Sequence, residues 1–374
     1  MADTTVVITN VIAGILLSLF FLLVLYLTVR MLLFTPPQYG KTIEHPVSVI
    51  IPFRNEEKNL PRVLESLAAQ EYEGVVEIIL VNDQSSDNYL SAVNSFKEEH
   101  PDFPVTVINS EYDSQTDLTS KQQALDRGVA HASYDWIACT DADMLLYPYW
   151  LSSLIKPVGN GISLVYGHTV MHKDKKTLFN LFQSYQLEFL FATAYAFYTA
   201  GLRGSCMGNN LLFSKKMYQD IGGQKTIGYS IVEDLDLLKT ALKMNFRAAP
   251  VIPFFPTAET QPCSRLNQLF HQVLRWLKGG LKQQYALLPV LFLLGCQNIF
   301  LILSLCGFFN IPVLCLSLIN ILMLALFTGI SFRKIGSKHS VLFFPLYYLL
   351  MTIQTIIMIF PVMAVSPVWK KRQI

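Results

Sequence analysis

Charge is what this chain of 374 residues has least of: Lys, Arg, Asp and Glu together make up 15% of it, against about 25% in soluble globular domains. That shortfall argues against an ordinary water-soluble enzyme. Neither sign is in excess, since 29 Lys and Arg oppose 27 Asp and Glu for a net +2. No basic field is available to hold a polyanion by counterion release, so no nucleic acid partner is expected. The six cysteines, Cys139, Cys206, Cys263, Cys296, Cys306 and Cys315, include no C-x-x-C pair, and the last three sit in apolar runs. Neither a zinc site nor a disulfide framework is signalled, and a reducing compartment is the simpler reading. The usual phosphate cradles are also missing: no G-x-G-x-x-G follows the first predicted strand, and no G-x-x-x-x-G-K-[ST] occurs. The seven histidines show no ligand spacing and are given no role.

Apolar residues are plentiful, at 52%, and unevenly spread. Three stretches carry no charge at all: Thr4 to Val29, Gln283 to Phe332, and Ser340 to Trp369. A membrane span needs ~20 apolar residues, so the middle stretch holds two, with a break at Phe309-Asn310-Ile311-Pro312, and four spans are predicted. The first has no basic n-region and no small-residue cleavage site before Arg30, which favours a retained anchor over a signal peptide. Basic residues flank the spans at Arg30 and Lys41, at Arg275, Lys278 and Lys282, and at Arg333, Lys334 and Lys338. The positive-inside rule puts all three clusters, and residues 35–282, in the cytosol. Parity then exports the tail Lys370-Lys371-Arg372 against that rule, unless Pro345 and Pro361 mark a broken or re-entrant helix. The predicted organisation is an N-terminal span within 1–35, a globular domain at 46–260, an amphipathic helix within 261–283, and an apolar region at 284–374.

The globular segment alternates two periodicities. Val47–Ile51 is a β-branched run ended by Pro52, and Glu56–Gln70 carries Leu60, Val63, Leu64 and Leu67 at helical spacing. Val75–Val81 is a second strand, followed by a helix toward Glu99 with Asp87 as its expected N-cap. Val105–Ile108 is a third strand, Lys121–His131 a helix, and Trp136–Thr140 a fourth strand that runs into Asp141-Ala142-Asp143. This order predicts a doubly wound, mostly parallel α/β sheet. Ligands of such sheets bind outside the carboxyl ends of the strands. The residues to examine are therefore Phe53-Arg54-Asn55-Glu56, Asn82-Asp83 and Asp141-Ala142-Asp143.

Asp141 and Asp143 offer hard oxygen ligands for Mg²⁺ or Mn²⁺, an ion that typically keeps waters and shares substrate phosphates. Alone, the pair suits a turn or helix cap just as well. Glu233-Asp234, ahead of Leu235, Leu237 and Leu238, likewise suits first-turn acidity. Gln272-Val273-Leu274-Arg275-Trp276 follows. Taken in order, Asp83, Asp141-Ala142-Asp143, Glu233-Asp234 and Gln272-x-x-Arg275-Trp276, with Pro52-x-x-Asn55-Glu56 at the first strand end, resemble the membrane-bound family 2 glycosyltransferases of GT-A fold. That group includes cellulose, chitin and hyaluronan synthases, and ceramide glucosyltransferase is similar. The likeness covers roughly residues 46–282 and continues into the flanking spans.

The resemblance implies an α/β GT-A cytosolic domain with transmembrane helices at both ends. It implies that Asp83 contacts the base or ribose of a nucleotide sugar, with Pro52, Asn55, Glu56 and Lys121 also on the donor side. Asp141 and Asp143 would hold the metal-bound diphosphate. Asp234 would be the general base with Glu233 as the fallback, and Gln272, Arg275 and Trp276 would serve the acceptor end. Lys121 lies in Ser120-Lys121-Gln122-Gln123-Ala124-Leu125, similar to the family's Lys-x-x-Ala-Leu-Asn, with Asp126 in place of Asn; Val232 stands where many members have Thr. Direct displacement by an acceptor hydroxyl predicts inversion at the anomeric carbon.

Leu266, Leu269, Phe270, Val273, Leu277 and Leu281 recur at helical spacing opposite Arg265, Gln268, Gln272, Arg275 and Lys278. Such a helix suits the membrane surface, although an interfacial Trp belt explains Trp276 equally. Leu187–Ala200 is aromatic and too short to span, which fits either an interfacial or a buried helix. By resemblance, Gly204–Asn210 abuts the pocket. The expectation is a multi-pass protein of a bacterial-type inner membrane with a cytoplasmic catalytic domain and a UDP-sugar donor. Four spans are few for a polymer channel, so a lipid acceptor is expected ahead of a glycan one. The alternative is a processive polysaccharide synthase. A transporter or scaffold is set aside because the charge-free spans hold no ionisable residue to mark a path.

Overall fold

The computed structural model describes residues 4–39, 44–172, 177–202, 204–252, 254–283, 287–369 and 372–373. Lys41, Lys370 and Lys371, which helped to orient the spans, lie outside these residues. In chain order the elements are α1 (Thr4–Leu33), β1 (Val47–Phe53), α2 (Leu60–Ala68), β2 (Val76–Asn82), α3 (Tyr89–Glu99), β3 (Val105–Asn109), α4 (Ser120–His131), β4 (Trp136–Cys139), β5 (Leu145–Leu146), α5 (Trp150–Ile155), β6 (Leu164–Tyr166) and β7 (His168–Met171). Then come α6 (Leu178–Thr199), β8 (Leu211–Ser214), α7 (Lys215–Asp220), α8 (Gly223–Ile227), α9 (Glu233–Lys243), β9 (Ala248–Pro250), β10 (Pro256–Thr260), α10 (Leu266–Gln283), α11 (Leu287–Leu305), α12 (Ile311–Lys334) and α13 (Phe344–Ala364). Two compact units result: a sheet unit from Pro36–Ser184, Ser205–His271 and Val368–Ile374, and a helical unit from Met1–Thr35, Tyr185–Gly204 and Gln272–Pro367.

The sheet unit is built on a seven-stranded sheet of order β3-β2-β1-β4-β8-β6-β9. The four strands predicted from the sequence lie side by side and parallel. β8 then runs antiparallel to both β4 and β6, and β9 pairs parallel with β6. A smaller sheet has the order β5-β10-β7. Val47, Val49, Ile50 and Ile51 are completely buried. Burial on both faces is why β1 reads as a near-continuous apolar run, interrupted by the buried Ser48, and not an alternating one.

Three local differences from the sequence reading have physical causes. α2 starts at Leu60, not Glu56, because Asn55 adopts a left-handed φ of 54° and the N–H groups of Asn59 and Leu60 both return to the Glu56 carbonyl at 2.9 Å. That turn comes first, and Pro61 then occupies the first helical turn, where its missing N–H costs nothing. Asp87 does not cap α3: the N-cap is Asn88, and Asp87 accepts instead from the Glu57 N–H at 2.8 Å. α4 begins with a Thr119–Gln122 capping box, which fixes Lys121 in its first turn.

Among the described residues of the helical unit, four helices are long and apolar enough to cross a membrane: Thr4–Leu33, Leu288–Leu305, Ile311–Lys334 and Val341–Ala364. The expected break holds, with Asn310 capping α12 by accepting from the Val313 N–H at 3.2 Å. Asn320 of α12 donates to the Leu17 carbonyl of α1 and to Gln297 of α11, both at 3.0 Å. Such amide bonds act as glue where apolar surface gives helices no reason to choose one another over lipid. Arg30 donates from Nε to the Thr199 carbonyl at 2.9 Å, placing a cation at the carboxyl end of α6. The aromatic stretch expected over Leu187–Ala200 is in fact a 22-residue helix, with Tyr185, Phe191 and Tyr195 buried. Its Glu188 pairs with His339 at 3.2 Å. The broken helix suggested by Pro345 and Pro361 does not occur. α13 runs through both, Pro345 in its first turn and Pro361 in its last.

Gly128 marks where α4 rests on the sheet: a Cβ there would lie 2.5 Å from Ile50 Cγ2 and 3.2 Å from Val81 Cγ2. Gly128→Ala is expected to cost about 1–3 kcal/mol through overpacking, read as a lower thermal unfolding midpoint by tryptophan fluorescence. An unchanged midpoint would mean that α4 shifts freely over β1.

Candidate active site

The carboxyl ends of β1 and β4, the start of α4 and the start of α9 surround a small cavity, lined in part by Pro52, Lys121, Asp141, Gly208, Glu233 and Asp234. Lys121 is its electrostatic centre. The ammonium lies 3.0 Å from Asp141 Oδ1 and 2.9 Å from Glu233 Oε1. Burial pushes such an amine downward, but Asp141 and Glu233, with Asp234 behind them, outweigh it and hold Lys121 above its ordinary range. The neighbouring residue ties α4 to the acidic pair. Gln122, fully buried, donates to Gln224 Oε1 at 2.9 Å and the Gly228 carbonyl at 2.8 Å, and accepts from the Ser230 N–H at 3.2 Å. One capped helix start therefore sets both Lys121 and the approach to Glu233.

Asp234 sits in the first turn of α9. Its Oδ2 accepts from the Gly208 N–H at 2.5 Å, and its Oδ1 from the Leu235 N–H at 2.8 Å. Burial first and Glu233 second push the carboxyl up to about 6, against the opposing pull of Lys121 and the two N–H donors. Gly208 has to be small: a Cβ would lie 3.2 Å from the Asp234 Cβ. The glycine-bearing loop 204–210 thus belongs to the site, a contact its sequence could not specify.

The loops after β1 and β2 interlock. Asn55 accepts from the Ser86 N–H at 2.8 Å and donates its own N–H to Ser85 Oγ at 3.0 Å, while Glu57 accepts from the Asn88 N–H at 2.7 Å. Arg54 Nη1 donates to the Asp83 carbonyl at 3.2 Å and lies 3.9 Å from Asp83 Oδ1. Glu56 accepts from Asn59 Nδ2 at 2.6 Å and braces the turn before α2. Asp143 stands two residues past Asp141, and its carbonyl accepts from Arg62 of α2.

The structure therefore gathers Pro52, Lys121, Asp141, Glu233 and Asp234 at one cavity. It puts Asp83, Asn55, Glu56 and Asp143 in loops at the same ends of neighbouring strands. Gln272, Arg275 and Trp276 are partly buried on α10, in the helical unit. Arg62 was missed by sequence reasoning, and Arg54 and Gln122 were given no role of their own, because each acts through a partner remote along the chain; Gly208 lies in the loop that the resemblance alone put beside the pocket. Asp141 and Asp143 suit a hard divalent cation as a donor set: two carboxylates at one turn, leaving other coordination positions to water and substrate oxygens.

Residues 48–222 match the family model described as Glycosyl transferase family 2. This segment is a family 2 glycosyltransferase domain. The match takes in Pro52 through Asp143 and ends before Glu233, Asp234 and the α10 residues. Poly-beta-1,6-N-acetyl-D-glucosamine synthase of Staphylococcus aureus (strain COL) is 27% identical over 240 residues, 63% of this chain and 54% of that protein. The synthase of the same name from Staphylococcus epidermidis is 26% identical over 244 residues, with the same shares covered. The chain spans about half the length of these curated relatives. Among solved structures, a mannosyltransferase from Pyrobaculum calidifontis, in complex with GDP-Man and Mn²⁺, superimposes with a TM-score of 0.53 at 19% identity, covering 94% of this chain and 93% of that one. The fold is the GT-A fold expected from the sequence.

Lys121→Met leaves the cavity carboxylates facing one another with no neutralising cation. Because the 38%-exposed ammonium is partly screened, the expected loss is on the order of 2 kcal/mol. The loss should be largest near pH 8 and shrink as the pH falls and the carboxylates take up protons. Thermal unfolding of both proteins at pH 5 and pH 8 measures it, and a loss independent of pH would contradict the electrostatic role.

Proposed function

We propose that the protein is a membrane-bound, metal-dependent, inverting glycosyltransferase that moves a sugar from a nucleotide-diphosphate donor, a UDP-sugar by our reading, to an acceptor at the membrane. One observation carries this: Asp141 and Asp234 line a single cavity, joined through Lys121 and Glu233, so a leaving-group site and a proton-accepting site sit side by side. The interlocked loops after β1 and β2, with Asp83 and Asn55, form a wall suited to a base and ribose. Asp141 and Asp143 would hold Mg²⁺ or Mn²⁺, which when bound neutralises charge on the departing diphosphate. Lys121 gives the same leaving group a second, fixed cation.

Asp234 is assigned the general base. A carboxyl raised to about 6 is still ionised at neutral pH, yet holds a proton better than an ordinary aspartate. Its two N–H donors keep one orientation, so the acceptor hydroxyl delivers its proton to a fixed oxygen as its own oxygen attacks the anomeric carbon. Attack opposite the leaving group inverts that carbon. Gln272, Arg275 and Trp276 are assigned to the acceptor end, and the four apolar helices support a multi-pass protein of the inner membrane with its site on the cytoplasmic side.

Two acceptor readings differ in their support. The small number of candidate spans favours transfer of one sugar to a lipid such as a ceramide, a diacylglycerol or a polyprenyl phosphate. The names of the curated relatives favour repeated addition to a glycan. Radiolabelled nucleotide sugar incubated with membranes separates them: a single glycolipid band supports the first, and a ladder of long products the second.

Asp234→Asn is expected to lower turnover by roughly 10²–10⁴-fold while donor binding and folding persist. Wild-type turnover is expected to fall as the pH drops through about 6, because protonation removes the base. A flat acid limb, or an active asparagine variant, would reassign the base to another group.

A further inference from the structure

Three polar residues spaced by four, Arg62, Ser66 and Gln70, fall along one face of α2 and its extension. Each bonds to the chain that follows Asp143. Arg62 Nη2 donates to the Asp143 carbonyl. Ser66 Oγ accepts from the Leu146 N–H at 3.3 Å. Gln70 donates to the Tyr147 carbonyl at 2.9 Å and accepts from the Leu151 N–H at 3.0 Å, while the Glu71 N–H donates to the Pro148 carbonyl at 2.7 Å.

These bonds tie the segment to α2, beside others that hold it from β10 and the loop before β8: the Tyr147 N–H donates to the Thr257 carbonyl at 3.0 Å and Trp150 Nε1 to Asn210 Oδ1 at 2.9 Å. β5 pairs with β10 through Leu145 and Leu146 alone, and so short a ladder cannot hold a loop in register. α2 is rigid by comparison, with Leu60, Val63, Leu64 and Leu67 on its other face almost wholly buried. We propose that Arg62, Ser66 and Gln70 are positioning residues: a polar clamp on α2 that holds the turn bearing Asp141 and Asp143 in its metal-binding geometry. The proposal rests on the reading of those two aspartates as metal ligands and assigns a function to a helix outside the cavity.

Charge and positioning predict opposite signs for Arg62, which makes the clamp testable. A guanidinium near a bound divalent cation repels it, so as a mere neighbouring charge its removal should tighten metal binding. As a clamp its removal should weaken binding, by roughly tenfold, since a hydrogen bond from a charged donor is lost and the loop is freed. The full chain in detergent is titrated with Mn²⁺ alone, bound ion being measured by calorimetry and by electron paramagnetic resonance of the free ion. Arg62→Met is expected to weaken Mn²⁺ binding about tenfold, and Gln70→Leu, which changes no charge, several-fold. Unchanged or tighter binding in folded Arg62→Met overturns the clamp. If Arg62→Met does not fold, Gln70→Leu decides by the same criterion. Asp143→Asn is the separate control: if it binds Mn²⁺ like the wild type, the metal-ligand reading itself fails, whatever Arg62 does.

Discussion

Carboxylates brought together at one edge of a sheet repel each other, and the site depends on how that repulsion is contained. Asp141 and Glu233 are remote in sequence, yet both reach the same ammonium, at 3.0 and 2.9 Å. Lys121 reaches them because it lies in the first turn of a helix whose start is fixed by the Thr119–Gln122 capping box and whose approach to the sheet is fixed by Gly128. Local capping, close helix–sheet contact and an ion pair form one chain of cause. Loosening any member moves the cation and lets the acidic groups separate or take up protons.

The parts of this arrangement that were legible in the sequence are those encoded locally. The β1, β2 and β4 runs are largely apolar, with Ser48 and Glu77 the polar interruptions near the strand starts, because both faces of a parallel sheet are covered, and short turns after each strand announce the sheet's carboxyl edge. Asp83, Asp141 and Asp143 followed from that rule. The four long apolar helices among the described residues were legible because ~20 uncharged residues have few other uses. What stayed hidden depends on long-range contact. β8 gives no sign of direction, since Leu211–Ser214 is equally apolar in either sense. Gly208 reads as one glycine among several until its N–H is seen on Asp234, and Glu56 resembles a ligand residue while bracing the turn at Asn59. Asp87 was misread because the Glu57 N–H competes for the oxygen that would have capped α3.

The state of Asp234 shows how closely opposed effects are balanced in this fold. Its carboxyl is raised from 3.8 to about 6, so it holds a proton more readily than an ordinary aspartate. Burial and Glu233 supply the rise. Two N–H donors and Lys121 limit it. Without the donors the carboxyl would rise further, and without Glu233 it would fall. If Asp234 is the base, as proposed, Glu233 serves it without touching substrate: it pairs with Lys121 at 2.9 Å and raises the Asp234 carboxyl. An acidic pair at a helix start, ordinary as a response to the helix dipole, becomes useful here because one member tunes the other.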